Sequence, residues 1–161
     1  MELNVSCGDC DFFVEKVQRH LGDLLTRYEF RSVQCEADRG GRECTWMLES
    51  HRCRLLFTLS DGAEDCSIGK VDTPFPGKVS FYLNGELGWY NTLWLIELRA
   101  GKQLLTRKLI KRLWEGELEY FAWLAPLLEE WMPELIGMFD LQAELTWHDD
   151  LLRMLEGRKP G

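Results

Sequence analysis

Basic side chains are the scarce class in this chain: 19 Lys and Arg stand against 27 Asp and Glu, a formal net charge of −8 over 161 residues. That shortage argues against nucleic acid or anionic lipid as the principal ligand, because phosphate binding draws on cation-driven counterion release. Long apolar runs are missing too, with nothing near the roughly 18 uninterrupted apolar residues that a membrane span needs. The opening Met1-Glu2-Leu3-Asn4-Val5 carries no cationic stretch followed by an apolar one, so export is not signalled and the expected address is the cytoplasm. Catalytic signatures are equally absent. Neither Gly-x-Ser-x-Gly nor a phosphate-cradling glycine loop occurs, which leaves hydrolase chemistry and nucleotide binding without a residue basis and implies no cofactor.

What the chain does have is an uneven distribution of charge. Arg99, Lys102, Arg107, Lys108, Lys111 and Arg112 form a stretch with no acid, whereas Leu113 to Glu156 holds eleven carboxylates and the single cation Arg153 among many Trp, Phe and Leu. An acidic, aromatic-rich helical surface suits a basic protein partner or a dimer mate. The residues expected to carry it are Trp123, Glu129, Glu130, Trp131, Glu134, Asp149 and Asp150, with aromatics as anchors and carboxylates steering the encounter. The basic stretch has little aromatic interleaving beyond Trp114, and intramolecular pairing with Glu115 to Glu134, or solvation, is its expected role.

Hydrophobic periodicity predicts a helix over Asp11 to Arg27, from Phe12, Phe13, Val17, Leu21, Leu24 and Leu25, with Asp9 or Asp11 able to cap its first turn. Alternation then takes over. Val33, Cys35 and Ala37 are followed by Cys44, Trp46 and Leu48, then by Cys53, Leu55, Phe57 and Leu59, each set against polar neighbours as in half-buried strands. Gly40-Gly41, Ser50-His51-Arg52 and Asp61-Gly62 fall between these runs, and Asn84-Gly85 follows Val79, Phe81 and Leu83. Asp72 to Gly77 carries two prolines and reads as a loop. Helical spacing returns at Trp89, giving two short helices before Gly101 and Gly116, a long segment Leu118 to Phe139 with a kink or break expected at Pro126 and Pro133, and a last helix Leu141 to Leu155.

The expected architecture is α+β: an N-terminal helix, an antiparallel meander sheet of four or five strands, and a C-terminal helical layer. Residues 1–156 form one domain in this reading, strand-rich over 29–88 and helical over 89–156, with a flexible tail at 157–161.

Six cysteines in a reducing cytoplasm do not read as a disulfide framework. Cys35, Cys44 and Cys53 share the phase of inward strand positions and are expected as core thiols. Cys7-Gly8-Asp9-Cys10 lies between a short apolar run and the first helix, an arrangement similar to a thioredoxin-type site, and is the alternative functional centre as a thiol–disulfide pair. Zinc at Cys7 and Cys10 would need a second closely spaced pair, for which His51-Arg52-Cys53 is a poor substitute. His148-Asp149-Asp150 is expected as a solvated helix start.

At Cys53-Arg-Leu-Leu-Phe-Thr-Leu-Ser-Asp-Gly62 and Gly88-Trp-Tyr-Asn-Thr-Leu93 the chain resembles a broad set of small bacterial α+β proteins. In these, a strand pair turning at Asp-Gly precedes a Trp-Tyr that opens the C-terminal helices. Some are immunity-like proteins of toxin systems, which implies stoichiometric binding to a protein. The resemblance spans about Glu29 to Gly101 and transfers no functional residue. The expected function is that of a non-catalytic, immunity-like or accessory binding protein.

Overall fold

The computed structural model describes residues 3, 5–76, 85–140 and 142–158. An N-terminal helix α1 (Asp11–Arg27) precedes a sheet in which β1 (Arg31–Asp38), β2 (Glu43–Glu49), β3 (Arg54–Ser60), β4 (Ala63–Gly69) and β5 (Tyr90–Asn91) lie antiparallel in sequence order. Four α-helices follow among the described residues: α2 (Thr92–Ala100), α3 (Arg107–Trp114), α4 (Tyr120–Phe139) and α5 (His148–Glu156). This is the α+β arrangement of helix, meander and helical layer.

Helix α1 forms because Phe13, Val14, Val17, Leu21, Leu24 and Leu25 share one stripe, and all six are buried. Neither expected acid caps its first turn. Asp11 instead accepts from the Cys7 amide at 2.6 Å, folding the preceding turn back onto the helix. At its other end the Phe30 amide reaches Leu25 O and the Glu29 amide reaches Thr26 O, a Schellman closure with Glu29 at φ 59 where glycine is the easier residue.

The strand phase departs from expectation at one residue. Registration between β1 and β2 shifts between Ser32 and Gln34, so Val33 is bulged out and 44% exposed rather than inward. The central strands are also buried on both faces, not one. Cys44, Trp46, Leu48, Leu55, Phe57, Leu59, Cys66 and Ile68 face the main core, while Met47 and Leu56 join Trp89 and half-buried Phe75 in a second cluster. Thr45, Thr58, Asp65 and Ser67 are buried with that second face, because strands sandwiched on both sides must bury polar alternates as well. The strand expected over Val79, Phe81 and Leu83, with its Asn84-Gly85 turn, lies outside the described residues apart from Gly85.

The first helix boundaries after the sheet follow sequence punctuation. Asn91 caps α2 by accepting from the Trp94 amide at 3.2 Å, and Gly101 closes it at φ 70. Thr106 caps α3 through the Leu109 amide at 3.3 Å, and Gly116 follows it at φ 73.

Helix α4 corrects the expected break. It runs as one 20-residue helix through Pro126 and Pro133. Each proline removes a bond to the carbonyl four residues back, on Ala122 and Glu129 respectively. All four residues are exposed, so the freed carbonyls sit on the wet side, where water can serve them.

The last helix starts at His148, seven residues later than Leu141, which is outside the described residues. Of the expected flexible tail, Arg158 is anchored: it pairs at 2.7 Å with Glu97, a carboxylate only 1% exposed. Residues 159–161 lie outside the described part.

Candidate functional site

The wide apolar stripe of α4 resolves into two tiers. Phe121, Leu124, Leu128, Met132, Leu135, Ile136, Met138 and Phe139 are buried, and the Phe121 ring meets those of Phe13 and Phe57, each at 5.8 Å. Trp123, Leu127 and Trp131 recur every four residues beside this buried arc and are half-buried, with part of each left at the surface. Glu130 and Glu134 stand at i+3 from Leu127 and Trp131, are exposed, and form no ion pair among the described residues. One side of α4 therefore presents two tryptophans, a leucine and two uncompensated carboxylates over about 16 Å, at roughly 1.5 Å of rise per residue.

The other expected acids are placed elsewhere. Glu129 lies around the helix and pairs with Arg27, tying α4 to the end of α1. Asp149 and Asp150 are exposed in the first turn of α5, which packs against α2, and Asp150 is engaged by Arg153 at 2.6 Å. His148 is not simply solvated: it is half-buried, with Nδ1 at 2.7 Å from the Tyr90 hydroxyl. The structure thus brings together Trp123, Glu130, Trp131 and Glu134, and separates Glu129, Asp149 and Asp150 from them.

Cys7 and Cys10 are not a pair. Cys7 is disulfide-bonded to Cys35, and Cys10 to Cys44. The expected core thiols at Cys35 and Cys44 are therefore cross-links, and the expectation that the cysteines form no disulfide framework is corrected. The physical reason is placement: the turn before α1 sits beside β1 and the β1–β2 connection, which brings each cysteine of the turn opposite a strand cysteine. A thiol–disulfide centre of the Cys-x-x-Cys kind needs its two sulfurs to pair with each other. Among the described residues no group of His, Cys, Asp and Glu is arranged to hold a metal ion. Cys53 and Cys66 are the buried free thiols, and burial pushes Cys53 up to about 12, and Cys66 upward as well, so neither is a ready thiolate at neutral pH.

Two buried carboxylates hold elements in place. Asp65 accepts from Asn91 Nδ2 at 2.6 Å, the Cys66 amide at 2.9 Å and the Tyr120 hydroxyl at 3.4 Å, linking β4 to the residue that caps α2 and to the start of α4. Burial raises its pKa from 3.8 to about 6. Glu97 accepts from the Leu104 amide at 2.5 Å and the Leu105 amide at 3.1 Å, besides Arg158, and so fixes the loop from which α3 springs. A cleft of about 280 Å³ is lined by Lys70, Asp72, Thr73, Pro74, Leu87, Gly88, Phe139 and Leu145, and Lys70 is already committed to the Ala143 carbonyl at 2.7 Å. This lining offers no nucleophile paired with a base.

No protein-family model matches the chain, and no curated protein or solved structure matches it significantly.

One surface escaped the sequence reading. Leu109, Ile110 and Leu113 had the spacing of a buried stripe, yet α3 has no buried residue, and Trp114 at its end is 77% exposed. Of the two roles expected for its cations, pairing occurs among the described residues for Lys111 with Glu115 at 3.8 Å and Arg112 with Glu117 at 3.9 Å, while Arg107 and Lys108 are exposed to solvent. The missed signal was legible as Leu-Ile-x-x-Leu-Trp interleaved with cations, a strongly two-sided helix with no matching partner stripe nearby.

Proposed function

We propose that this protein is a non-catalytic binding module, immunity-like or accessory in kind, that occludes or tethers a basic protein through the exposed side of α4. The observation carrying this reading is Glu130 and Glu134 standing without an ion pair, among the described residues, on the side of α4 that carries half-buried Trp123 and Trp131. Partly desolvated tryptophans suit interface anchoring, and free carboxylates beside them favour a cationic partner both in rate and in register. Glu129 contributes less, since Arg27 already neutralises it.

The setting of this interaction is part of the proposal. No helix among the described residues is long and apolar enough to cross a membrane. The cytoplasmic address expected from the sequence has the Cys7–Cys35 and Cys10–Cys44 disulfides against it, because reducing couples open such bonds; an oxidising compartment accommodates them. Alkylation of the protein in intact cells distinguishes the two, with four blocked thiols expected for an oxidising address and six reactive ones, after unfolding, for the cytoplasm.

The binding reading is tested on the partner recovered from low-salt purification. With Glu130→Lys and Glu134→Lys together, the association rate should fall at least about tenfold at low ionic strength and lose most of its salt dependence. Unchanged association kinetics would sink the reading. Trp131→Ala should act mainly on dissociation, as an anchor does.

A further inference from the structure

We infer that the occupant of the α4 surface is a second copy of this chain, docking through its own α3. The inference rests on the protein-binding reading of α4 and narrows its basic partner to one basic element, helix α3 of a second copy, in a chain that is acidic as a whole. Helix α3 has two chemically opposed sides: Leu109, Ile110, Leu113 and Trp114 lie along one, and Arg107, Lys108, Lys111 and Arg112 along the other. Ile110 is 38% exposed and Trp114 77% exposed, Leu109 and Leu113 are half-buried, and none of the four is among the side chains that pack against the buried core. Helices of fewer than about 12 residues are marginal unless tertiary packing supports them. An eight-residue helix whose apolar side is only half covered at Leu109 and Leu113 and open at Ile110 and Trp114 therefore gains from a surface that its own chain does not supply.

The α4 surface matches it in three respects. It is apolar where α3 is apolar, through Trp123, Leu127 and Trp131. Its carboxylates at Glu130 and Glu134 oppose the sign of Arg107, which at about 100° per residue borders the apolar side of α3 next to Trp114 and forms no ion pair among the described residues. Its length is comparable as well: at 1.5 Å per residue Trp123 to Trp131 spans about 12 Å and Arg107 to Trp114 about 10 Å. An anionic lipid surface would also attract the cations, but Glu115, Glu117 and Glu119 follow directly, in a chain of net charge −8, and would oppose close approach to it. Two copies related by a two-fold axis exchange α3 helices reciprocally, so both apolar sides are covered and the assembly closes as a dimer. The Glu97 grip on the Leu104 and Leu105 amides sets the direction in which α3 leaves its own domain.

Sedimentation equilibrium of the whole protein over a wide concentration range tests this. The wild type should be dimeric, and two variants should be folded monomers by circular dichroism: one with Ile110→Glu and Trp114→Glu, the other with Glu130→Lys and Glu134→Lys. Each should raise the dimer dissociation constant about thirtyfold or more. Mixed one to one, the two variants should recover a heterodimer, because one retains an intact α4 surface and the other an intact α3. A monomeric wild type overturns the inference, as do variants that dimerise like the wild type. A monomeric wild type whose tryptophan emission shifts to the blue on phosphatidylserine vesicles, a shift lost in Trp114→Phe, overturns it in favour of a membrane surface. If the wild type is monomeric yet Glu130 and Glu134 still govern binding of a basic partner, only self-association falls. If those charges govern nothing, the binding reading falls with it.

Discussion

Helices α3 and α4 are separated by five residues and differ in almost everything that anchors a helix. Helix α4 buries eight side chains against α1, α2 and the sheet, and tolerates two prolines. Helix α3 buries none, although its two sides are the more sharply divided. Amphipathicity therefore describes what a helix could cover, whereas the chain's own topology decides whether anything is there to be covered. Helix α4 is a structural element with a functional outer edge, and α3 is nearly all outer edge.

The sharpest way to break that contrast is to truncate one ring in each. Phe121→Ala removes a side chain lodged between Phe13 and Phe57 and should cost about 3–5 kcal/mol in urea unfolding. Trp114→Ala, measured at a concentration low enough to keep the protein monomeric, should change stability by no more than about 0.5 kcal/mol. A large loss from Trp114→Ala would mean that α3 packs on its own chain after all.

A third mode of anchoring sharpens the comparison: the turn leading into α1 is stapled. The Cys10–Cys44 bridge closes a separation of 34 residues, for which the loop-entropy account gives about 3–4 kcal/mol. Replacing both cysteines by alanine should lower the unfolding free energy by that order, and a reductant should do the same to the wild type but not to a chain lacking both bridges. Insensitivity of the wild type to reductant would show that α1 is held by packing alone, as α4 is.

Much of this fold was legible because its signals are local. The α1 stripe, the turns at Gly40-Gly41 and Asp61-Gly62 and the glycines closing α2 and α3 all act within a few residues of themselves. What was not legible depended on partners far along the chain. Cys35 and Cys44 have the same strand phase as Cys53, and only the position of the turn at Gly8–Cys10 separates cross-linked sulfurs from a core thiol. Val33 looked inward until a bulge displaced it. The candidate surface was half legible for the same reason. Trp123, Glu130, Trp131 and Glu134 share a face by helical arithmetic, but that Arg27 claims Glu129, and that α5 carries Asp149 and Asp150 away, are facts of packing.

Asp65 supplies a pH handle on how α4 begins. Its folded pKa, about 6, lies above its ordinary 3.8, so the folded state holds the proton more tightly than the unfolded one. The associated stability is present below about pH 3.8 and is lost as pH rises through about 6, a change on the order of 2–3 kcal/mol. Urea midpoints of the wild type and Asp65→Asn between pH 4 and 7 should therefore diverge, the wild type falling with pH relative to the variant. Parallel curves would show that the Asn91 and Tyr120 hydrogen bonds hold the carboxylate ionised without cost.

The smallest effect belongs to the edge of α4 that faces α1. Arg27 and Glu129 are both about half exposed, and solvent screening and side-chain entropy leave such a pair little net stabilisation. Glu129→Gln should accordingly leave stability almost unchanged. It should also leave association with a basic partner within about twofold of wild type, because the charge it removes is already compensated by Arg27. Glu130→Gln, one residue on and with no cation beside it, should slow that association several-fold. The pair of substitutions thus asks whether neighbouring carboxylates on one helix differ through their partners. Equal effects from both would mean that the field of the whole acidic helix, rather than its unpaired side, steers the encounter.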